Sequence, residues 1–137
     1  MIKNKVLVFF LVLFSSSFIF AQDKKYEKRI YVLDWTKTMD SWENPRTGKK
    51  YPDVWKDLKP MLIDNLKQVD ESTTDIVLLC FDSDIRHKFT TKSSILNFLS
   101  DSKNKPDGMN TNLSLPWRAA LKEIDQSKYN FITFLTD

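Results

Sequence analysis

Three short apolar runs constrain the fold of this chain more than any other feature. They occupy residues 29–33, 74–81 and 129–135, and their charged residues are Arg29 and Asp75. Runs of this length are typical of strands that are covered on both faces, as in a parallel sheet. Over residues 53–69 the apolar side chains instead recur every three or four positions, which predicts a helix with one buried face. Pro60 lies within that segment, so we expect the helix to be kinked there or to begin later.

The remaining segments complete an alternating order of strands and helices. Turn-forming residues at 82–84 precede an alternating apolar and polar stretch at 85–90, which predicts an antiparallel hairpin strand at the sheet edge. Ser93 or Ser94 is predicted to cap a second helix, and a third helix is expected from Ser114 to about Asp125. The order β-α-β-β-α-α-β indicates an α/β fold with a mostly parallel sheet, one antiparallel edge strand and helices on both sides.

The first 21 residues, the leader segment, have the layout of a secretory signal peptide. Lys3 and Lys5 precede an apolar run at residues 6–14, and Ala21 ends the segment. The run is shorter than the roughly 20 residues that span a membrane. We expect cleavage after Ala21 and a periplasmic or extracellular location. An uncleaved N-terminal anchor is the alternative.

The chain beyond the leader segment is predicted to form one domain. Removing residues 1–21 from 137 leaves 116, which is enough for a single core, with a flexible lead-in at 22–27 and the domain at 28–137. The loss of Lys3 and Lys5 from 21 Lys and Arg leaves 19, against 18 Asp and Glu. This near balance argues against a nucleic-acid partner, and no span is predicted in the mature chain. Cys80 is the lone cysteine, and its place in an apolar run predicts a buried, unbridged thiol.

Acidic and hydroxyl side chains follow two of the predicted strands. Asp34, Thr36 and Thr38 are spaced two apart after the first strand, Asp137 follows the last, and Thr111 lies in a polar loop before the third helix. Ligands of open α/β sheets bind beyond the carboxyl ends of the strands. Carboxylate and hydroxyl oxygens suit a hard cation. These five residues therefore predict a divalent cation site, with Mg²⁺ expected and Mn²⁺ or Ca²⁺ as alternatives.

Three segments, residues 32–39, 110–113 and 134–137, resemble in order the motifs of the von Willebrand factor A (vWA) family. The resemblance covers about residues 28–137 and implies a Rossmann-type three-layer sandwich with a metal-ion-dependent adhesion site (MIDAS). It implies direct metal contacts from three hydroxyls, those of Thr36, Thr38 and Thr111. Asp34 and Asp137 would act mainly through bound waters, and an acidic residue of a partner would take the open position. The implied function is an exported adhesion or protein-binding module, not an enzyme.

The chain departs from the family pattern in three respects. Serines usually stand where Thr36 and Thr38 are, and the loop at 40–52 is longer than usual. Domains of the family also continue with further strands and helices beyond the place of Asp137, so the resemblance implies a truncated domain. The first two departures bear on metal affinity more than on the fold.

Two other functions are compatible with the same residues. Asp34 at a strand end also resembles the nucleophile of haloacid dehalogenase-type phosphotransferases, with Asp137 as a magnesium ligand. Against this, no aspartate stands two residues after Asp34, and no lysine clearly ends a later strand. The second alternative is a structural scaffold with a non-functional site. Trp35 and Trp42 flank the site and are expected to pack, with a partner-facing rim as the other interpretation.

Overall fold

A five-stranded sheet forms the centre of the computed structural model, which describes residues 9–13 and 26–137. Its strands are β1 (Phe9–Leu13), β2 (Glu27–Asp34), β3 (Thr74–Phe81), β4 (Ile85–Phe89) and β5 (Tyr129–Leu135). Their spatial order is β1-β5-β2-β3-β4. The apolar runs of β3 and β5 predicted these two strands to the residue. β2 begins at Glu27, one residue before the expected start of the domain.

The three central strands run parallel and the two edge strands run antiparallel to them. β2 pairs in parallel with both β3 and β5. The predicted hairpin strand β4 pairs antiparallel with β3, and this prediction is confirmed. A second antiparallel edge, β1 on β5, was not anticipated because residues 9–13 belong to the predicted leader segment. The rest of that segment, including Ala21, and lead-in residues 22–25 lie outside the described residues, so the signal peptide stays a prediction.

Three helices connect the strands: α1 (Val54–Lys67), α2 (Lys92–Ser100) and α3 (Ser114–Lys122). The expected cap of α2, Ser93 or Ser94, was wrong by two or three residues, because the Thr91 side chain accepts the backbone N–H of Ser94 at 3.3 Å. α3 ends at Lys122, before the expected Asp125. Asp125 instead accepts the backbone N–H of Ser127 in the turn that leads into β5.

α1 begins where its sequence signals predicted and continues through its proline. The side chain of Asp53 accepts the backbone N–H of Lys56 at 2.9 Å, so the helix does not start later. Its buried face carries Trp55, Leu58, Leu62 and Leu66. Burial of this face holds the helix together at Pro60, where the backbone can donate no hydrogen bond.

Replacement of Pro60 by alanine should stabilise the protein. Pro60 is exposed, so the change costs little packing and restores the missing donor within α1. We expect the free energy of unfolding to rise by about 1–3 kcal/mol, less than the full helix penalty because proline also restricts the unfolded chain. Urea unfolding of P60A measures this. An unchanged or lower midpoint would show that the helix tolerates its proline without strain.

Apolar side chains cover both faces of the sheet. One layer joins α1 and α2 to the strand face that includes Tyr31, Leu33 and Cys80. The other joins α3, through Ala120, to the opposite face with Ile30. The predicted α/β three-layer sandwich is therefore confirmed. Cys80 is fully buried, as expected, and burial raises the pKa of its thiol. No helix in the described part of the chain is long and apolar enough to cross a membrane.

Candidate metal centre at the strand ends

The carboxylate of Asp34 is held from two sides at the end of β2. Its Oδ1 accepts the backbone N–H of Thr36 at 3.0 Å, and its Oδ2 accepts the hydroxyl of Thr136 at 2.9 Å. Asp34 is only 1% exposed. An ionised carboxylate has about four acceptor positions, so these two bonds leave about two for a further ligand or water.

The two hydroxyls after Asp34 lie next to each other. The Oγ1 atoms of Thr36 and Thr38 are 2.9 Å apart and share a hydrogen bond. The chain turns between them into a short 3₁₀ helix, Lys37–Met39, which replaces the extended path of β2. Met39 is fully buried and anchors this turn in the core. Thr36 and Thr38, which are two residues apart in the sequence, thus place their hydroxyl oxygens next to each other beside the end of β2.

Asp137 lies close enough to Asp34 to affect its ionisation. The pKa of Asp34 is raised, first because burial penalises the charged form and further because of the negative charge of Asp137. Hydrogen bonds from Thr36 and Thr136 oppose this rise. Asp137 itself is exposed at the edge of the site. A divalent cation bound between these two carboxylates would reduce the repulsion between their negative charges.

Thr111 is placed differently from the other predicted ligands. It is exposed, and no described contact joins it to Asp34, Thr36 or Thr38. The next residue, Asn112, donates its backbone N–H to the carbonyl of Asp82 at 3.0 Å. Its loop is therefore fixed to the end of β3, the strand beside β2.

The loop before Thr111 is fastened to the first site segment. Gly108 forms an isolated bridge with Thr36, accepts the N–H of Lys37 at 2.8 Å and donates to the carbonyl of Trp35 at 2.9 Å. A Cβ atom on Gly108 would lie 2.5 Å from the Cβ of Asp82. Only glycine therefore fits between the ends of β2 and β3, where the two site segments meet.

Asp82 is a buried carboxylate that sequence reasoning treated only as a turn residue. It is 3% exposed, and its Oδ2 lies 3.1 Å from Nη1 of Arg86. Its Oδ1 accepts the backbone N–H of Asp84 at 3.0 Å. Because these partners neutralise and position the group, Asp82 supports the loop in this structure. Its place directly after an apolar strand, like that of Asp34, was the signal that could have singled it out.

The donor chemistry fits a cation only if hydroxyls take part. No three His, Cys, Asp or Glu side chains cluster as metal ligands among residues 26–137. The available set is the pair of threonine hydroxyls with the carboxylates of Asp34 and Asp137. Oxygen donors of this kind match Mg²⁺ in type.

Trp35, the tryptophan next to Asp34, packs inside the protein. Trp35 is 2% exposed and lies edge-on to Trp55 with 5.4 Å between ring centroids. The interpretation of Trp35 as a partner-facing rim is therefore wrong, because its ring points into the core. Trp42 is partly exposed and stacks on Tyr51 at 5.8 Å.

Comparisons with known proteins leave the family open. No protein-family model matches the chain, and no curated protein matches it. One similar solved structure is an uncharacterised membrane-spanning protein from Vibrio fischeri, which is 14% identical with a TM-score of 0.48. The match covers 70% of this chain and 48% of the Vibrio protein. Another is an aerotolerance-related membrane protein from Bacteroides fragilis NCTC 9343 that carries multiple mutations to serines. It is 13% identical with a TM-score of 0.49, and the match covers 72% of this chain and 46% of the Bacteroides protein.

A third similar structure is the PilB minor pilin from Streptococcus sanguinis. It is 18% identical with a TM-score of 0.48, and the match covers 76% of this chain and 28% of the pilin. The chain thus spans less than half of each of these three structures.

Proposed function

We propose that this chain is an exported vWA-like protein-binding module that holds a divalent cation, most naturally Mg²⁺, at the ends of β2 and β5. The observation that carries the proposal is the convergence of the Asp34 carboxylate with the paired hydroxyls of Thr36 and Thr38. The exposed carboxylate of Asp137 supports it. Thr111, which is exposed in the loop held to the end of β3, is the fifth member of the proposed set. A bound cation would supply an electrophilic position for an acidic group of a partner protein.

The burial of Asp34 favours a binding role over the phosphotransferase alternative. A nucleophilic carboxylate must present a free oxygen to phosphorus. Here both oxygens accept hydrogen bonds and the group is 1% exposed, so the acceptor positions that stay open suit a small cation or its bound water better than a phosphoester. A site with few charges of its own, by contrast, leaves a cation in need of a further anionic ligand. The scaffold alternative differs from both in requiring no cation.

Removal of the Asp34 charge should abolish cation binding. Asparagine keeps the shape of the side chain, so we expect D34N to weaken Mg²⁺ and Mn²⁺ binding by more than about 100-fold, beyond the effect of an outer-shell partner. Titration calorimetry measures this. The matched control is D64N on α1, where Asp64 is exposed and pairs with Lys67.

The same preparations separate the three functions. Turnover of a phosphoester such as p-nitrophenyl phosphate would support the phosphotransferase. Retention on immobilised polyglutamate that requires the cation and is reversed by a chelator would support the adhesion module, with polylysine as the control surface. If the unmodified chain bound no cation, this would support the structural scaffold. Unchanged affinity in D34N and T111A together would exclude the proposed ligand set.

A further inference from the structure

Among the residues that the structure describes, Thr136 is the one side chain outside the proposed ligand set that bonds the Asp34 carboxylate. The parallel register of β2 and β5 places Leu33 opposite Leu135. The next residues along the two strands are Asp34 and Thr136, and the Thr136 hydroxyl reaches Oδ2 at 2.9 Å across 102 residues of sequence. The contact is thus a direct product of strand register.

We infer that Thr136 is a positioning residue for the cation site, acting through Asp34. This inference rests on the proposed cation binding. The backbone N–H of Thr36 holds Oδ1, and the Thr136 hydroxyl holds Oδ2. Rotation of the carboxylate about its Cβ–Cγ bond must then break both hydrogen bonds, so Thr136 makes the carboxylate plane more rigid than the Thr36 bond alone would. The remaining acceptor positions then face one direction, as a cation or its bound water requires.

The side chain of Thr136 is suited to this role rather than to ligation. Its hydroxyl donates to Asp34, and the residue is half-buried between the two strand ends. Outer-shell groups that orient a ligand typically change metal affinity by about 10–100-fold when they are removed. Loss of Thr136 should therefore weaken the site without removing any proposed ligand.

Two substitutions at Thr136 test the inference on the full chain. Thr136→Val keeps the shape and removes the hydroxyl, and we expect about a 10–100-fold loss of Mg²⁺ and Mn²⁺ affinity. Thr136→Ser keeps the hydroxyl and should stay within about threefold of the unmodified chain, since the hydrogen bond orients the carboxylate. The matched control is Thr133→Val, three residues earlier on β5, where the side chain lines a groove against Leu62 of α1.

Calorimetric affinities and the thermal midpoint of the metal-free variants are measured together. Weak binding by the valine variant, rescue by serine and no change in the control support the inference. Equal affinity in the valine variant and the unmodified chain overturns it while cation binding stands. Equal weakening in both Thr136 variants also overturns it, since the hydroxyl is then not the cause. If the unmodified chain binds no cation, the proposed function fails and the inference fails with it.

Discussion

The chain of residues 22–137 should associate into oligomers once the leader segment is removed. In the uncleaved chain β1 pairs with β5 over the register Phe9–Phe134 to Leu13–Asn130. Without β1, the outer backbone groups of β5 lack partners. Exposed Tyr129 and Phe131 lie on that strand. The strand has no proline and no charged residue to oppose pairing with another chain.

Size-exclusion chromatography and thermal melts of residues 22–137 and of the uncleaved chain test this expectation. We expect concentration-dependent oligomers and a broad, low melting transition, because a domain has only about 5–15 kcal/mol of net stability. Phe131→Lys should reduce the association, since a charge in the middle of an edge strand opposes pairing. Met109→Lys is the control, because Met109 is 65% exposed in a loop outside the sheet. A monomer that melts sharply above about 50 °C would contradict the expectation.

Substitution of Gly108 by alanine should disrupt both the fold and the proposed site. The added Cβ would lie 2.5 Å from Asp82 Cβ and 2.6 Å from its Oδ2. The backbone of Gly108 cannot move away easily, because it is hydrogen-bonded to Trp35 and Lys37. The side chain of Asp82 cannot move away easily either, because it is buried. We expect a loss of about 1–3 kcal/mol in unfolding free energy, as for other overpacked interiors, and weaker cation binding through displacement of Thr36.

The second glycine of the chain is a natural control. Gly48 has a φ of +67° and nothing within 4 Å of a built Cβ. Gly48→Ala therefore adds backbone strain of about 1 kcal/mol without crowding and should leave cation affinity unchanged. Asp82→Gly should partly offset Gly108→Ala in a double-mutant cycle, since it removes the clashing carbon. Strict additivity of the two changes would show that the clash is not the cause.

The strands after the leader segment were predictable because their signal is local. β3 and β5 match the apolar runs at 74–81 and 129–135 to the residue, and α1 follows its apolar spacing. The cap of α2 was misassigned because Thr91, Ser93 and Ser94 all carry hydroxyls within one turn. Only the backbone geometry distinguishes them.

The candidate site was predictable in part for the same reason. Asp34, Thr36 and Thr38 follow one strand, so their proximity needs no tertiary information. The contact from Thr136 depends on β5 lying beside β2, and the support from Asp82 depends on the loop at Gly108. The first contact is a consequence of strand order in the sheet, and the second is a consequence of the close approach of the loops that contain Asp82 and Gly108. Neither relation leaves a periodic pattern in the sequence.

The bond between Thr136 and Asp34 joins the two ends of the described domain. β2 is the first strand after residue 25 and β5 the last, yet they are neighbours in the sheet. Contacts with such large sequence separation form slowly, because the intervening loop must close first. The β3–β4 hairpin can assemble early during synthesis or translocation. Asp34 reaches its final environment only after residue 136 has emerged, so cation binding would report that the chain has been made as far as β5.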